Sequence, residues 1–274
     1  MEQSSSYTRC MKKKMKAALL WKLIRKVRNW PLFFLNRFGL IKSKTLTFKL
    51  RNGLLITSRP FAIDRSALND VWLEESYEPS NAGIFWDWTA CRRIVDVGAN
   101  IGTFTLYAAM KAPQATIDAV EPEPGNCEIL RKNVSQNGFD SRIRVHKLAL
   151  SDKSGTAELN ISSEVSGGHS LFRHGSHGSA TLTVPTKPLT DLFAESGILE
   201  CDFLKMDCEG AEYSILYSLP AAWFKKIRCL AIEYHHFSTD PRYQPGSLKT
   251  FLEQNGFRVL PLKKSMWLAI RENV

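Results

Sequence analysis

The sequence predicts an α/β fold on a doubly wound parallel sheet, with helices on both faces and a basic helical extension at the N-terminus. Three observations carry that reading. From Arg92 onward short apolar strands alternate with helical stretches, a rhythm that parallel strands joined by crossover helices require. The first of these strands runs into Gly98-Ala-Asn-Ile-Gly102, a glycine turn that opens a helix. The positive charge is confined to one end. The first 63 residues hold 15 Lys and Arg against the single acid Glu2, whereas the rest holds 22 against 26 acids.

With 274 residues, 44% of them hydrophobic and 23% charged, the chain has an ordinary globular composition. Collagen-like, low-complexity and wholly disordered classes are excluded. No stretch reaches the roughly 18 apolar residues needed to cross a bilayer. The cysteines (Cys10, Cys91, Cys127, Cys201, Cys208, Cys229) are scattered without a Cys-x-x-Cys pair, so they read as reduced thiols of a cytosolic protein.

Residues 1–44 form the basic extension. In Ala17–Trp30, Leu20, Leu23, Ile24 and Val27 recur at helical spacing, with Lys22, Arg25, Lys26 and Arg28 between them. This is an amphipathic helix ended by Pro31. Residues 9–44 therefore suit an anionic membrane surface, or else the apolar face packs on the domain and the cations are solvated. A cleaved secretory signal is not expected, given the charges inside the apolar run and the lack of a small-residue cleavage site. The expected location is cytoplasmic, and peripheral at the inner membrane face if the segment binds lipid.

Residues 45–91 come next. Alternating runs around Arg51-Asn-Gly53 predict a hairpin, and Asp64 to Trp88 an acidic helical cover. Residues 92–274 form the main domain, with strands at Ile94–Val97, Thr116–Val120, Ile143–Leu150, Phe203–Met206 and Ile227–Glu233. Helices are expected at Thr103–Lys111, Gly125–Asn137, Thr190–Ser196, Ala211–Leu219 and Leu248–Asn255. Phe257–Leu262 and Met266–Ile270 close the chain as an antiparallel pair. Residues 151–188, rich in Gly, Ser, Thr and His, interrupt the rhythm as an insertion.

The glycine turn is the most informative segment. Gly98 permits a sharp turn, Asn100 tolerates a left-handed backbone, and Gly102 lets the helix N-terminus approach a ligand. The Gly-x-x-x-Gly spacing is not the dinucleotide fingerprint, so a pyrophosphate cradle is missing. Asp96, expected to face the crevice, would repel a diphosphate and attract an ammonium group. Glu121 ends the second strand, 19 residues after Gly102, where an acid can accept both ribose hydroxyls. The two acids select an adenosyl ligand with a cationic tail, S-adenosylmethionine (SAM). Ser151 and Asp152 stand where the base would lie, or simply form a turn.

The chemistry is expected at the next strand ends. In Leu204-Lys-Met-Asp-Cys-Glu-Gly-Ala-Glu212, the acids Asp207 and Glu209 can orient a hydroxyl and accept its proton, or cap the following helix; one of them is expected to cap, and Asp207 is the choice for the chemistry. Glu233, His235 and His236 follow the fifth strand. With Asp207 they bind a divalent metal that acidifies the acceptor, or act as a metal-free base with an orienting carboxylate. His169, His174 and His177 sit in a Gly/Ser-rich setting that reads as a loop rather than a metal site.

The segments Asp96-Val-Gly-Ala-Asn-Ile-Gly102, Val120-Glu-Pro122, Gly168-His-Ser-Leu171 and Leu204–Glu212 resemble the FkbM family of class I SAM-dependent methyltransferases. Arg51-Asn-Gly53 and Glu75-Ser-Tyr-Glu78 resemble its N-terminal region. The likeness covers about residues 45–270, with Cys208 standing where the family usually has an aliphatic residue. It implies a seven-stranded Rossmann-like sheet with the last strand antiparallel. It also implies methyl transfer to a hydroxyl of a sugar, glycan, polyketide or other hydroxylated metabolite. Two alternatives stand beside that O-methyltransferase. One is an RNA methyltransferase gripping phosphates with the basic arm. Against nucleic acid are the acidic main domain and the lack of an Asn/Asp-Pro-Pro-aromatic signature. The other is a non-catalytic, membrane-associated module.

Overall fold

The computed structural model describes residues 18–60, 62–161, 180–236, 238–263 and 265–271. The chain divides into two compact units, Met1–Glu75 and Ser76–Val274.

In the first unit, helix α1 covers residues 18–26 and ends where Val27 leaves it to bridge Leu50. Helix α2, Pro31–Arg37, follows at once. The first helix thus stops at Lys26, ahead of the expected end at Pro31, and Pro31 instead begins the second, because its fixed φ and missing N–H suit a first turn. Strands β1 (Leu46–Lys49) and β2 (Leu55–Ser58) pair antiparallel across the Arg51-Asn-Gly53 turn, where Gly53 takes φ 97°.

The extension and the hairpin are one structure. Arg28 N donates to Lys49 O (2.7 Å), Arg51 N to Lys26 O (2.9 Å) and Asn29 Nδ2 to Thr47 O (2.9 Å). Leu23, Val27, Phe33, Phe48 and Ile56 are buried. Each such side chain contributes about 1.5–3 kcal/mol relative to exposure. Helix α3, Ala62–Leu68, runs into a wider turn at Asn69–Leu73. Asp64 is fully buried and held by the Arg59 guanidinium at 3.0 Å.

The second unit begins at Ser76, and Glu78 ties its first segment to the helix that follows the first long strand. Glu78 accepts from Trp88 Nε1 (3.1 Å), from the Tyr107 hydroxyl and from Lys111 Nζ (2.8 Å). Burial pushes its pKa up, but these three partners outweigh burial and hold it below the usual value.

The elements then run β3 (Arg93–Val97), α4 (Thr103–Lys111), β4 (Thr116–Val120), α5 (Pro124–Gln136), β5 (Ile143–His146), β6 (Ala149–Leu150), β7 (Gly155–Ile161) and β8 (Ala180–Lys187). After these come α6 (Leu189–Glu195), β9 (Cys201–Met206), α7 (Glu212–Ser218), α8 (Ala221–Phe224), β10 (Ile227–Glu233), α9 (Pro245–Gln254), β11 (Phe257–Lys263) and β12 (Met266–Arg271).

Seven strands form one sheet in the order β11-β12-β10-β9-β3-β4-β5. β12 runs antiparallel to both its neighbours, as expected. The chain reverses its direction of winding between β3 and β9, which pair directly. Their carboxyl ends therefore frame the crevice of the doubly wound sheet.

The strand expected over Ile143–Leu150 is divided. β5 stays in the large sheet beside β4, whereas β6 leaves it and pairs with β8 in a three-stranded sheet ordered β6-β8-β7. The described residues of the insertion hold a hairpin, at the strand-like pieces Ala157–Ile161 and Thr181–Val184 that its sequence shows: β7 and β8 pair antiparallel from Gly155↔Thr186 to Ile161↔Ala180. Gly168-His-Ser-Leu171, His169, His174 and His177 lie outside the described residues.

Candidate active site

The crevice between β3 and β9 is an open cleft. Gly98, Asn100, Glu121, Asn126, Asp207 and Glu209 are among its lining residues. The turn is closed by close approach of two strand ends: Asp207 N donates to Val97 O (3.1 Å). Gly98 has φ 73°, and a Cβ there would fall 1.8 Å from Asp207 O, so no larger residue fits.

Asp96 departs from expectation. Its carboxylate is fully buried rather than turned into the cleft. Oδ2 accepts from Thr105 Oγ1 at 2.5 Å, and Oδ1 pairs with Lys205 Nζ at 3.2 Å. Lys205 also donates to Gly98 O (2.8 Å) and Val97 O (3.3 Å) and lies 3.8 Å from Asp207 Oδ2. Burial opposes its charge, yet Asp96 and Asp207 together raise its pKa above the ordinary lysine value. The acid drawn toward a ligand's ammonium group is instead half of a buried ion pair that braces the turn.

Gly102 also works through packing. It caps α4 at φ 86°, and a Cβ there would meet Leu130 Cδ1 at 2.4 Å, so the glycine lets α4 and α5 approach. Ser151 Oγ donates to the exposed Asp152, and neither is among the cleft-lining residues. The neighbouring Leu148, Ala149 and Leu150 line that side with Leu159. The departure of β6 from the main sheet presents this apolar wall in place of the polar pair.

Glu121 and Asn100 stand as expected at the cleft. Glu121 is 4% exposed and accepts from Asn100 N (2.8 Å), Glu123 N (2.9 Å) and Asn126 Nδ2 (3.2 Å). A carboxylate offers about four acceptor sites, so it has room for a further hydroxyl donor. Burial pushes its pKa up to about 7 despite those three bonds. Asn100 takes the left-handed φ of 50°, and its buried Oδ1 has no hydrogen-bond partner. A buried acceptor left without a donor next to an acid with acceptor capacity to spare fits a ligand that offers hydroxyl or amino donors. No phosphate cradle accompanies it.

These shifts give a signed expectation. The Glu121 pKa is higher folded than unfolded, so ionisation opposes folding as pH rises through its folded value of about 7. Protonation has the opposite effect on ligand binding, because it removes an acceptor for ribose. SAM affinity measured by calorimetry should fall as pH drops below about 7. In Glu121→Gln that slope should vanish; an unchanged slope would assign it to another group.

At the other end of the cleft Asp207, Glu209 and His235 converge. Each offers one ligating atom, all within 4.8 Å of one another. His235 Nε2 lies 3.5 Å from Glu209 Oε2 and 3.9 Å from Asp207 Oδ1. Its Nδ1 is 3.2 Å from Glu212 Oε1. Glu212 is fully buried and also accepts from Cys208 N and Gly210 N, both at 2.8 Å. Glu212 therefore stabilises the turn into α7, the task expected of Asp207 or Glu209, and leaves both of those acids facing the cleft.

Burial lowers the His235 pKa, but Glu212, Asp207 and Glu209 outweigh it and raise it to about 9. Burial raises Glu209 to about 7, opposed by His235 and reinforced by Asp207 and Glu212. Glu209 holds a left-handed φ of 54°, the second strained non-glycine residue on the cleft wall. Burial and the neighbouring Glu212 and Asp207 push the Cys208 thiol well above its usual value, which keeps it protonated.

Glu233 stands outside the three converging ligating atoms but acts on Tyr77, whose pKa it helps burial and Asp207 to raise. It ends β10 opposite Met266, half-buried, and the acid completing the group is Glu209. His236 lies against Tyr234, ring centroids 6.0 Å apart. Reasoning on strand ends alone passes over Tyr77, whose hydroxyl donates to Asp207 Oδ2 at 3.3 Å, and over Lys205 and Glu212. A lysine inside the buried strand Cys201–Met206 is the visible sign of the ion pair.

Comparison with known proteins gives a consistent picture. The methyltransferase FkbM domain family matches residues 96–259. The chain is 28% identical over 194 residues to methyltransferase sdnD of Sordaria araneosa, covering 61% of this chain and 73% of that one. It is 29% identical over 195 residues to the 31-O-demethyl-FK506 methyltransferase FkbM of Streptomyces tacrolimicus, with the same coverage, 61% and 73%. It is 27% identical over 139 residues to the 2-O-methyltransferase NoeI of Sinorhizobium fredii, covering 45% of this chain and 55% of that protein.

Proposed function

The chain belongs to the FkbM family of SAM-dependent methyltransferases, and on that premise we propose that it methylates a hydroxyl of a sugar, glycan or other hydroxylated metabolite. The observation that carries the proposal is the convergence of Asp207, Glu209 and His235 beside the glycine turn. Two relatives whose names specify O-methylation support the same chemistry.

SAM supplies an electrophilic methyl group when bound. Glu121 and Asn100 would hold its ribose end by accepting hydrogen bonds, and Gly98 keeps the strand end free of side chain. Asp207 and Glu209 orient the acceptor hydroxyl and take up its proton. His235, held through Nδ1 by Glu212 and drawn toward its cationic form, offsets the charge of the two acids. Tyr77 donates to the other oxygen of Asp207 and fixes its rotamer. Holding acceptor and donor in line supplies much of the rate in such a displacement.

A second reading is favoured by the same convergence: Asp207, Glu209 and His235 hold a divalent cation that acidifies the acceptor. Purified full-length protein incubated with labelled SAM and a panel of glycans and hydroxylated metabolites tests both. Base-stable label on oxygen, insensitive to EDTA, supports direct proton acceptance. Activity lost in EDTA and restored by Mg²⁺ or Mn²⁺ supports the cation. Label on nitrogen or on RNA overturns the proposal.

A further inference from the structure

The first unit carries a surface that the methyl-transfer chemistry does not use. Its N-terminal helices bury part of their apolar residues. Leu23, Val27 and Phe33 are buried within the unit and account for one face. Others in the same segment are half-buried, and five are left in solvent: Leu20 is 38% exposed, Trp21 61%, Leu35 43%, Phe38 70% and Leu40 63%. Among the described residues only seven large apolar side chains are exposed, and five of them fall between positions 20 and 40. Scattered single exposures are ordinary; a concentration in one short segment marks a contact surface.

The same segment is strongly cationic. Residues 18–60 contain ten Lys and Arg and no Asp or Glu. Lys22, Arg25, Arg28, Arg37, Lys42 and Lys44 are exposed. The Arg25 guanidinium lies 5.8 Å from the Trp21 ring centroid, so the aromatic ring and the cation share a position. Hydrogen bonds from Arg28, Asn29 and Arg51 fix α1 on the hairpin, and the exposed set is therefore presented by folded structure.

We propose that this surface docks on an anionic lipid bilayer, with the cations on the headgroups and Leu20, Trp21, Leu35, Phe38 and Leu40 in the interfacial layer. Charge complementarity and side-chain type favour that occupant together. A nucleic acid would use the cations and leave five large apolar groups in water, whereas a bilayer interface takes both. Trp at such a boundary places its ring at headgroup depth.

The test is co-sedimentation of the full chain with phosphatidylcholine vesicles, with and without about one third phosphatidylglycerol. Binding should require the anionic lipid and weaken as salt rises. Trp21→Ser with Phe38→Ser should weaken it at least about tenfold. So should Lys22→Gln with Arg25→Gln and Arg28→Gln. All these side chains are exposed, so thermal unfolding and SAM binding should stay unchanged in the variants. Four results would overturn the proposal. The first is no sedimentation with anionic vesicles, and the second is equal binding to neutral ones. The third is undiminished binding by the apolar variant. The fourth is a dimer in light scattering that the same substitutions dissociate, which would make a second copy the occupant.

Discussion

Replacing Glu209 by Gln, or Asp207 by Asn, should lower kcat by about 10²–10⁴-fold while SAM affinity changes by less than about threefold. The expectation follows from where these acids stand. Both face the cleft, because the turn into α7 is already stabilised by Glu212 through Cys208 N and Gly210 N. Their amides keep size and polarity but cannot take up the hydroxyl proton. His235→Asn should act in the same direction, since it removes the group 3.5 Å from Glu209 that offsets the acids' charge.

Glu233→Gln serves as the contrast. Glu233 ends β10 outside the converging group, so its substitution should change kcat by less than about threefold. Steady-state kinetics beside SAM calorimetry separates the two effects. If Glu233→Gln is the damaging change and Glu209→Gln the silent one, the assignment is reversed.

The second large effect is on stability. Asp96→Ala leaves Lys205, itself 3% exposed, without its nearest carboxylate. Breaking one side of a buried ion pair costs about 3–5 kcal/mol. For a unit of this size that corresponds to a fall in Tm on the order of 10 °C. Lys205→Met alone should be damaging too, because it leaves Asp96 buried and frees the carbonyls of Val97 and Gly98. Asp96→Leu combined with Lys205→Met should cost less than the sum of the two single changes, the pattern of a coupled pair. Should Asp96→Ala keep its Tm and lose only SAM affinity, the carboxylate faces the ligand after all.

The sequence was legible where a single periodic signal controls the outcome. Ile94–Val97, Thr116–Val120 and Ile227–Glu233 are mainly apolar runs, broken inside only by Asp96, Asp118 and Arg228, and a strand covered by helices on both faces must be mainly apolar. It misled where residues touch across the sheet. Asp96 reads as a crevice acid because it precedes the turn, yet Lys205, 109 positions later, claims it. Ile143–Leu150 reads as one strand because nothing local shows that β6 has a better partner in β8.

The sequence by itself determined the alternating fold, the glycine turn with Glu121 at the cleft, and the confinement of positive charge to the N-terminal segment. Each depends on neighbours along the chain. Tertiary structure alone decided which acids meet the ligand and which brace the backbone, and which apolar residues of the basic helices are buried. Those outcomes depend on groups far apart in sequence. Within the low-dielectric interior a carboxylate's role is set by the nearest cation and by how many donors surround it, and spacing along the chain carries no record of either.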